Sequence, residues 1–172
     1  MIAIDAPAQL SGAPHAGDET LSPKFRAARC AEVALGRAQG IWVSWVAPAG
    51  PPLPGWMAVG VGLHRRLAPR AAVIEVYPHA AFHLLAGRRP AKKQSAAGMR
   101  ERVELLTAAG VVPPDEGLSH HAIDALAAAL VARDRLAGCA HAVGCGHDDS
   151  LIWLPAARAV SGGAARSAPP PS

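Results

Sequence analysis

The stretch 71–80, AAVIEVYPHA, constrains the fold more than any other part of the chain. Its β-branched apolar run is interrupted by Glu75 and stopped by Pro78, which predicts a short strand in a largely buried sheet. A carboxylate inside such a strand is costly to bury unless a cation, a metal ion or hydrogen bonds receive it. Glu75 therefore lies either on the solvent face of an edge strand or in a functional site.

A second strand is predicted at the very start of the chain, where MIAI precedes Asp5. Open α/β sheets place functional side chains at the ends of their strands, and Asp5 occupies such a position. Asp5 can equally well turn the chain ahead of Pro7. The residues alone leave both interpretations open.

Length and composition favour one domain that is not membrane-spanning. The chain has 172 residues, a net charge of +4 and a pI near 9.4, which is compatible with a polyanionic partner such as nucleic acid. No apolar run reaches the roughly 20 residues of a membrane span, and the start does not resemble a signal peptide. The three cysteines, an odd number, fit no disulfide framework, so we expect a cytoplasmic protein.

The remaining pattern predicts helices between loops. Helices are expected over 25–36, 56–67, 79–86, 97–109 and 120–137, with a last strand at 151–154 and a basic loop, RRPAKKQS, at 88–95. In the first of these, Arg29 is expected on an outward face. Gly60 and Gly62 weaken the second helix but permit close packing. We assign 1–157 to one domain and 158–172 to a disordered tail.

Three carboxylates stand out by their context, and together they suggest a metal site. Asp5 follows a strand, Glu75 lies within one, and Asp124 lies among alanines in the second turn of a helix that should pack against a sheet. Carboxylates converging from strands and a helix are what Mg²⁺ or Mn²⁺ needs for phosphodiester chemistry. The segment CAHAVGCGH, 139–147, also invites a zinc interpretation. Its Cys-x-His spacing argues against zinc and favours a helix end with incidental thiols and imidazoles.

Several motifs in order resemble a known family. In chain order these motifs are IAIDAP, Arg29 with Cys30, WMAVGVGLHRRL, VIEVYPHAAF, a stretch containing Lys92 and Arg102, and HAIDALAAALVA. Together they resemble the predicted RNase H-like nuclease family, domain of unknown function 429. The resemblance runs from about residue 1 to residue 155. It implies an α/β, RNase H-like fold, with a mixed sheet flanked by helices and a carboxylate site that depends on Mg²⁺ or Mn²⁺.

The resemblance also implies roles for individual residues. Asp5, Glu75 and Asp124 match the family's acids and would be the catalytic and metal-binding residues. Lys92 and Arg102 match the basic residues of the family's lysine/arginine stretch. With these two, our hypothesis places the neighbouring Lys93 and Arg100 near the substrate phosphates.

This sequence departs from the family pattern at its start. Members begin with three strands and a helix, and the first strand carries a Gly-x-Asp acid, whereas this chain begins at the strand that should be fourth. The resemblance thus implies an N-terminally incomplete domain whose activity is in question. The leading hypothesis is a metal-dependent nuclease that acts on nucleic acid. The alternative is a non-catalytic binding or scaffold domain of the same fold, in which the acids serve as caps and surface charges.

Overall fold

The computed structural model of the chain describes residues 1–114 and 117–156. These residues form a mixed α/β structure with six helices and four short strands. In chain order the elements are β1 (Ile2–Ile4), α1 (Pro23–Arg26), α2 (Cys30–Gln39), α3 (Gly55–Leu67), β2 (Val73–Glu75), α4 (Pro78–Ala86), α5 (Ala96–Ala108), α6 (His120–Leu136), β3 (His141–Val143) and β4 (Ile152–Leu154). The predicted tail, 158–172, lies outside the described residues.

The strands form two small sheets that meet at one bridge. β1 pairs in parallel with β2, with Ile4 opposite Glu75, and β3 pairs antiparallel with β4. A single parallel bridge between Val76 and Trp153 joins the two pairs, so the strands lie in the order β1, β2, β4, β3. The parallel pair places the carboxyl ends of β1 and β2 at the same edge, which is where Asp5 and the start of α4 lie.

Helices cover the sheet and supply most of the core. Ala128 and Val131 of α6 pack on Ile74 and Val76 of the β2 region, which confirms that the alanine-rich helix packs against a sheet. A second cluster lies between α4, α5 and α6 and is centred on Phe82. A third cluster joins α2 to β3, β4 and the loop after α2; its buried members include Leu35, Val43, Ile152 and Leu154.

The predicted helix over 25–36 is wrong in one respect, because it is two helices. The chain leaves helical geometry at Arg29, which has an extended backbone (φ −73°, ψ 162°) and precedes the first residue of α2. The Arg29 backbone N–H donates to the Glu32 carboxylate at 3.0 Å, which satisfies one of the donors that a helix start leaves free. The other four predicted helices occur within two residues of their expected bounds.

The segment 139–147 is not a helix end, and the prediction that no disulfide forms is wrong. After α6 this segment contains β3, and the turn beyond it brings Cys145 to the start of α2, where it forms a disulfide with Cys30. Cys139 is the free, exposed cysteine. Sequence spacing missed the pair because 115 positions separate its members. The disulfide removes the cysteine-based argument for a reducing compartment.

Candidate functional site

A pocket of about 520 Å³ lies at the edge of the sheet where β1 and β2 end. The residues lining it come from the segments that follow β1, α2 and β2, from the start of α3, from the basic stretch and helix α5, and from the first turns of α6. Acidic, basic and aromatic side chains all contribute. They include Asp5, Asp124, Arg89, Lys92, Lys93, Arg102, Trp45, Trp56, Tyr77 and His79.

The position of Asp5 in the pocket depends on Ala6, the next residue, against which helix α3 packs closely. A Cβ on Gly60 would collide with the Cβ of Ala6, so glycine at position 60 lets the helix approach the end of β1. Gly62 has open space around it, and the predicted packing role is therefore confirmed for Gly60 alone. Although Asp5 keeps an exposed surface in the pocket, the surrounding protein and the nearby Asp124 carboxylate raise its pKa to about 6.

Asp124 enters the same pocket from helix α6. The helix begins at the N-cap Ser119, whose side chain accepts a hydrogen bond from the Ala122 N–H. Asp124 is buried, and its Oδ2 accepts a hydrogen bond of 2.7 Å from Lys93 Nζ. The sequence therefore placed an acid on the buried face of α6, and the structure gives it a cationic partner from the basic loop.

The basic loop is anchored to the start of helix α5, although most of its residues are exposed. Ser95 caps the helix, its Oγ accepting from the Gly98 N–H at 3.0 Å. A Cβ on Gly98 would collide with the backbone carbonyl of Lys92, so glycine is required for the loop to lie this close. As a result Lys92 and Lys93, which the sequence hypothesis places near substrate phosphates, both line the pocket.

Arg102 is the most unusual cation of the pocket, because it is buried without a carboxylate partner. Arg102 is only 3% exposed, and its Nη1 donates to the carbonyls of Ala91 (2.8 Å) and Gly98 (2.9 Å). Its Nε has no hydrogen-bond partner, and no ion pair among the described residues includes it. Burial lowers its pKa, while the charge of Asp124 opposes that change. A buried guanidinium in this state favours an anion in the pocket.

Glu75 is buried but does not line the pocket. Arg29, which is fully buried, donates to both of its carboxylate oxygens at 2.7 Å, and the Ala8 N–H donates to Oε2 at 2.8 Å. The same guanidinium donates to Glu32 Oε1 at 2.9 Å. The alternative of a solvent-facing Glu75 is thus wrong. The cation that compensates the buried carboxylate is Arg29. A metal role would require Glu75 to give up these bonds.

Arg100 is the one predicted phosphate-contacting residue that the structure places elsewhere. It lies on the side of α5 that lines a separate, largely apolar groove with Met99, Val103 and Leu118. Because Arg100 and Arg102 are two positions apart on a helix, they point in different directions. The structure therefore brings together Asp5, Asp124, Lys92, Lys93 and Arg102, and it leaves Glu75 and Arg100 outside the pocket lining.

Sequence reasoning missed two groups of residues around the site. Arg29 was expected on an outward face, yet it forms the buried partner of Glu75. The aromatic residues of the pocket were also missed, although their scarcity is a signal: two of the four tryptophans and the only tyrosine of the chain line it. His79 lines it too, and burial, together with the positive charges of His83 and Arg102, lowers its pKa to about 4.

A group of potential metal ligands outside the pocket is already accounted for. Within the described residues, ligand atoms of His15, Cys30 and Cys145 lie within 4.8 Å of one another. Because the two cysteines are joined as a disulfide, their sulfurs are not thiolates available to a metal ion. The four ligands of 139–147 do not converge, since Cys139 instead donates to the Asp134 carbonyl.

The chain has a mixed α/β fold with a charged pocket at a strand-end edge. Residues 57–172 match the family described as "Protein of unknown function (DUF429)", and the chain belongs to that family. The match includes Glu75, the basic loop, Arg102 and Asp124, whereas Asp5 lies before it. No curated protein and no solved structure matches the chain. Among the described residues no helix is long and apolar enough to cross a membrane.

Proposed function

We propose that this protein is a divalent-metal-dependent phosphodiester hydrolase, a nuclease of the RNase H-like type. One observation carries the proposal: two carboxylates, Asp5 and Asp124, share a pocket with the buried, unpaired cation Arg102 and with Lys93. Carboxylates suit a hard divalent cation, and guanidinium and ammonium groups suit phosphate oxygens. The RNase H-like arrangement of the sheet is part of the proposal and rests on the resemblance of the sequence.

The donor set of the pocket fits a single Mg²⁺ or Mn²⁺ ion. Such an ion is commonly held by one or two carboxylates together with substrate phosphates and water, and Asp5 and Asp124 supply that number. The raised pKa of Asp5 shows that its ionised form is poorly compensated, which a cation would relieve. Glu75 is not needed in this arrangement. When bound, the ion neutralises phosphate charge and lowers the pKa of a bound water.

The chain's own side chains have separable roles in this proposal. Arg102 and Lys92 bind the phosphate oxygens, and Lys93 moves between Asp124 and the substrate. Asp5, which is largely ionised at neutral pH because its pKa is about 6, would hold the ion together with Asp124. Trp45 and Tyr77 help to shield the pocket from bulk water.

The experiment is a cleavage assay with a fluorescent single-stranded oligonucleotide in Mn²⁺, with and without excess EDTA. We expect EDTA-sensitive cleavage that Asp124→Asn abolishes. Asp149→Asn, which changes an exposed carboxylate far along the chain from the pocket residues, should leave it intact. Cleavage that survives in Asp124→Asn, after repurification to exclude contaminating nuclease, would contradict the assignment.

A second candidate is a non-catalytic module that binds nucleic acid or another phosphorylated ligand. It is favoured by the fact that Asp124 and Glu75 already have cationic partners, Lys93 and Arg29. In that case wild-type protein binds the oligonucleotide equally well in Mn²⁺ and in EDTA and cleaves it in neither. A nuclease instead shows turnover that requires the ion.

A further inference from the structure

We propose that the pocket takes one unpaired nucleotide, whose base stacks on Trp56 while its phosphate lies at Arg102 and Lys92. This inference rests on the proposed function for the phosphate end and deepens it by naming the substrate class. Single-stranded nucleic acid and free nucleotides share the required chemistry, a phosphate joined to a base with an exposed face.

An unbroken series of ring contacts runs along the pocket. The ring centroids of Trp56 and Trp45 are 4.8 Å apart, those of Trp45 and Tyr77 are 6.0 Å apart, and those of Tyr77 and His79 are 5.7 Å apart. All four side chains line the same cavity as the cations. Aromatic side chains next to a positively charged groove are the arrangement by which proteins bind single-stranded nucleic acid, because every base has a π-face.

Trp56 is more exposed than the other large aromatic residues of the pocket. Trp45 is half-buried and Tyr77 is buried, so both have packing roles of their own. Trp56, by contrast, is 45% exposed, and its ring forms a T-shaped contact with that of Trp45 at an interplanar angle of 71°. A large apolar ring left open beside a charged cavity is the kind of surface that a ligand covers.

The size of the cavity agrees with one nucleotide. A pocket of about 520 Å³ is within the range of roughly 300–1,000 Å³ that encloses one ligand of drug size. In a duplex each base is covered on both faces by its neighbours, so it must be unstacked before a tryptophan can contact it. The pocket therefore favours unpaired nucleotides over a continuous duplex.

Ligand binding is measured in EDTA, so that the result does not depend on hydrolysis. Adenosine 5′-monophosphate and ribose 5-phosphate are titrated against wild-type protein by calorimetry; they share the phosphate and sugar and differ in the base. Because stacking on one aromatic side chain corresponds to roughly 5- to 150-fold in affinity, we expect the nucleotide to bind at least about 10-fold more tightly.

Two tryptophan variants form a matched pair. Trp56→Leu should reduce the preference for the nucleotide to about twofold or less, while ribose 5-phosphate binding is unchanged. Trp42→Leu changes a tryptophan of similar exposure, 43%, which packs on Phe25 and does not line the pocket, and it should keep the preference. Equal binding of the two ligands by wild-type protein, no binding of the nucleotide at millimolar concentration, or a preference that survives in Trp56→Leu would each overturn the inference.

Oligonucleotides separate the two sources of the ligand. A single strand and a blunt duplex of the same sequence are compared in EDTA at fixed salt. Tighter binding of the single strand, lost in Trp56→Leu, assigns the site to a strand, whereas tight binding of the mononucleotide alone assigns it to free nucleotides; a duplex that binds as well as the single strand contradicts the inference. If stacking is confirmed but no cleavage occurs in Mn²⁺, the proposed hydrolysis fails and the nucleotide site stands.

Discussion

Arg29 and Glu75 form a two-point ion pair in the interior, with Nη1 to Oε2 and Nη2 to Oε1 both at 2.7 Å. Burial alone would lower the pKa of Arg29, but its bonds to Glu75 and Glu32 raise it above the ordinary value. The pair ties the end of β2 to the start of α2. It thereby fixes the strand end next to the pocket without placing Glu75 in it.

Replacing Arg29 by Met should destabilise the protein severely. Glu75 and Glu32 would be left buried without their cation, a change that typically costs about 3–5 kcal/mol of unfolding free energy. Arg37→Met is the control, because the Arg37–Asp18 pair is solvent-exposed and its loss should change the stability far less. Urea denaturation measures both. A loss below about 1 kcal/mol for Arg29→Met would show that the buried network is not as described.

Two alanine substitutions in helix α3 should have opposite effects. Gly62→Ala meets open space and removes the conformational penalty of glycine, so it should stabilise the protein by roughly 0.5–1 kcal/mol. Gly60→Ala places a methyl group against Ala6, so it should destabilise the protein and displace the neighbouring Asp5. Thermal melting of the two variants compares them directly. A stabilising Gly60→Ala would contradict the close approach of α3 to the end of β1.

Asp5 should make the metal-free protein less stable as the pH rises from about 4 to 6. Its pKa in the folded protein, about 6, exceeds its ordinary value of 3.8, so the folded form binds more protons than the unfolded form between these two pH values. Folding stability therefore falls as the pH rises through this range, and the full loss is present above about pH 6. Asp5→Asn removes this loss, so its melting temperature should exceed that of wild type at pH 7 and match it below pH 4.

The titration of His79 should change stability with pH in the opposite direction to that of Asp5. Its folded pKa of about 4 is below the ordinary 6.5, so its contribution to stability is present above pH 6.5 and is lost as the pH falls towards 4. His79→Gln should therefore reduce the loss of stability in acid. Melting curves from pH 4 to pH 8 test both variants, and an Asp5→Asn curve parallel to that of wild type would contradict the raised pKa.

Reduction of the Cys30–Cys145 disulfide should lower stability by about 2–5 kcal/mol, because the bond closes a loop spanning 115 positions. Denaturation with and without dithiothreitol measures the effect, and Cys145→Ser should reproduce it. Cys139→Ser, at the exposed free cysteine, should change nothing. Because Cys30 is fully buried, thiols are counted in the unreduced protein after unfolding in urea, and three reactive thiols instead of one would show that the bond is absent.

Local patterns predicted most of the elements, because each pattern acts within a few residues. The β-branched run before Pro78, the serine cap before α6 and the alanine-rich face of that helix each determine structure close to themselves. The same reasoning selected Asp5 and Asp124 as site residues from their positions at a strand end and a helix start. Both line one pocket.

What sequence reasoning could not supply are pairings between distant residues. Arg29 meets Glu75 across 46 positions and Cys30 meets Cys145 across 115, and neither separation leaves a periodic signal. A basic residue at helical spacing ordinarily faces solvent, so the sequence pattern alone predicts an outward Arg29 and does not reveal its buried partner. The sequence hypothesis places Arg100 beside Arg102 near the phosphates, although residues two positions apart on a helix point in different directions.

The most direct test of the proposed metal site is the melting temperature of the protein in EDTA and in millimolar Mn²⁺ at pH 7.5. An ion bound only by the folded state stabilises it, so wild type and Asp149→Asn should each gain several degrees. Asp5→Asn and Asp124→Asn should lose that gain while remaining folded in EDTA. An identical Mn²⁺ response in wild type and both pocket variants, or no response in any of them, would contradict a metal site at Asp5 and Asp124.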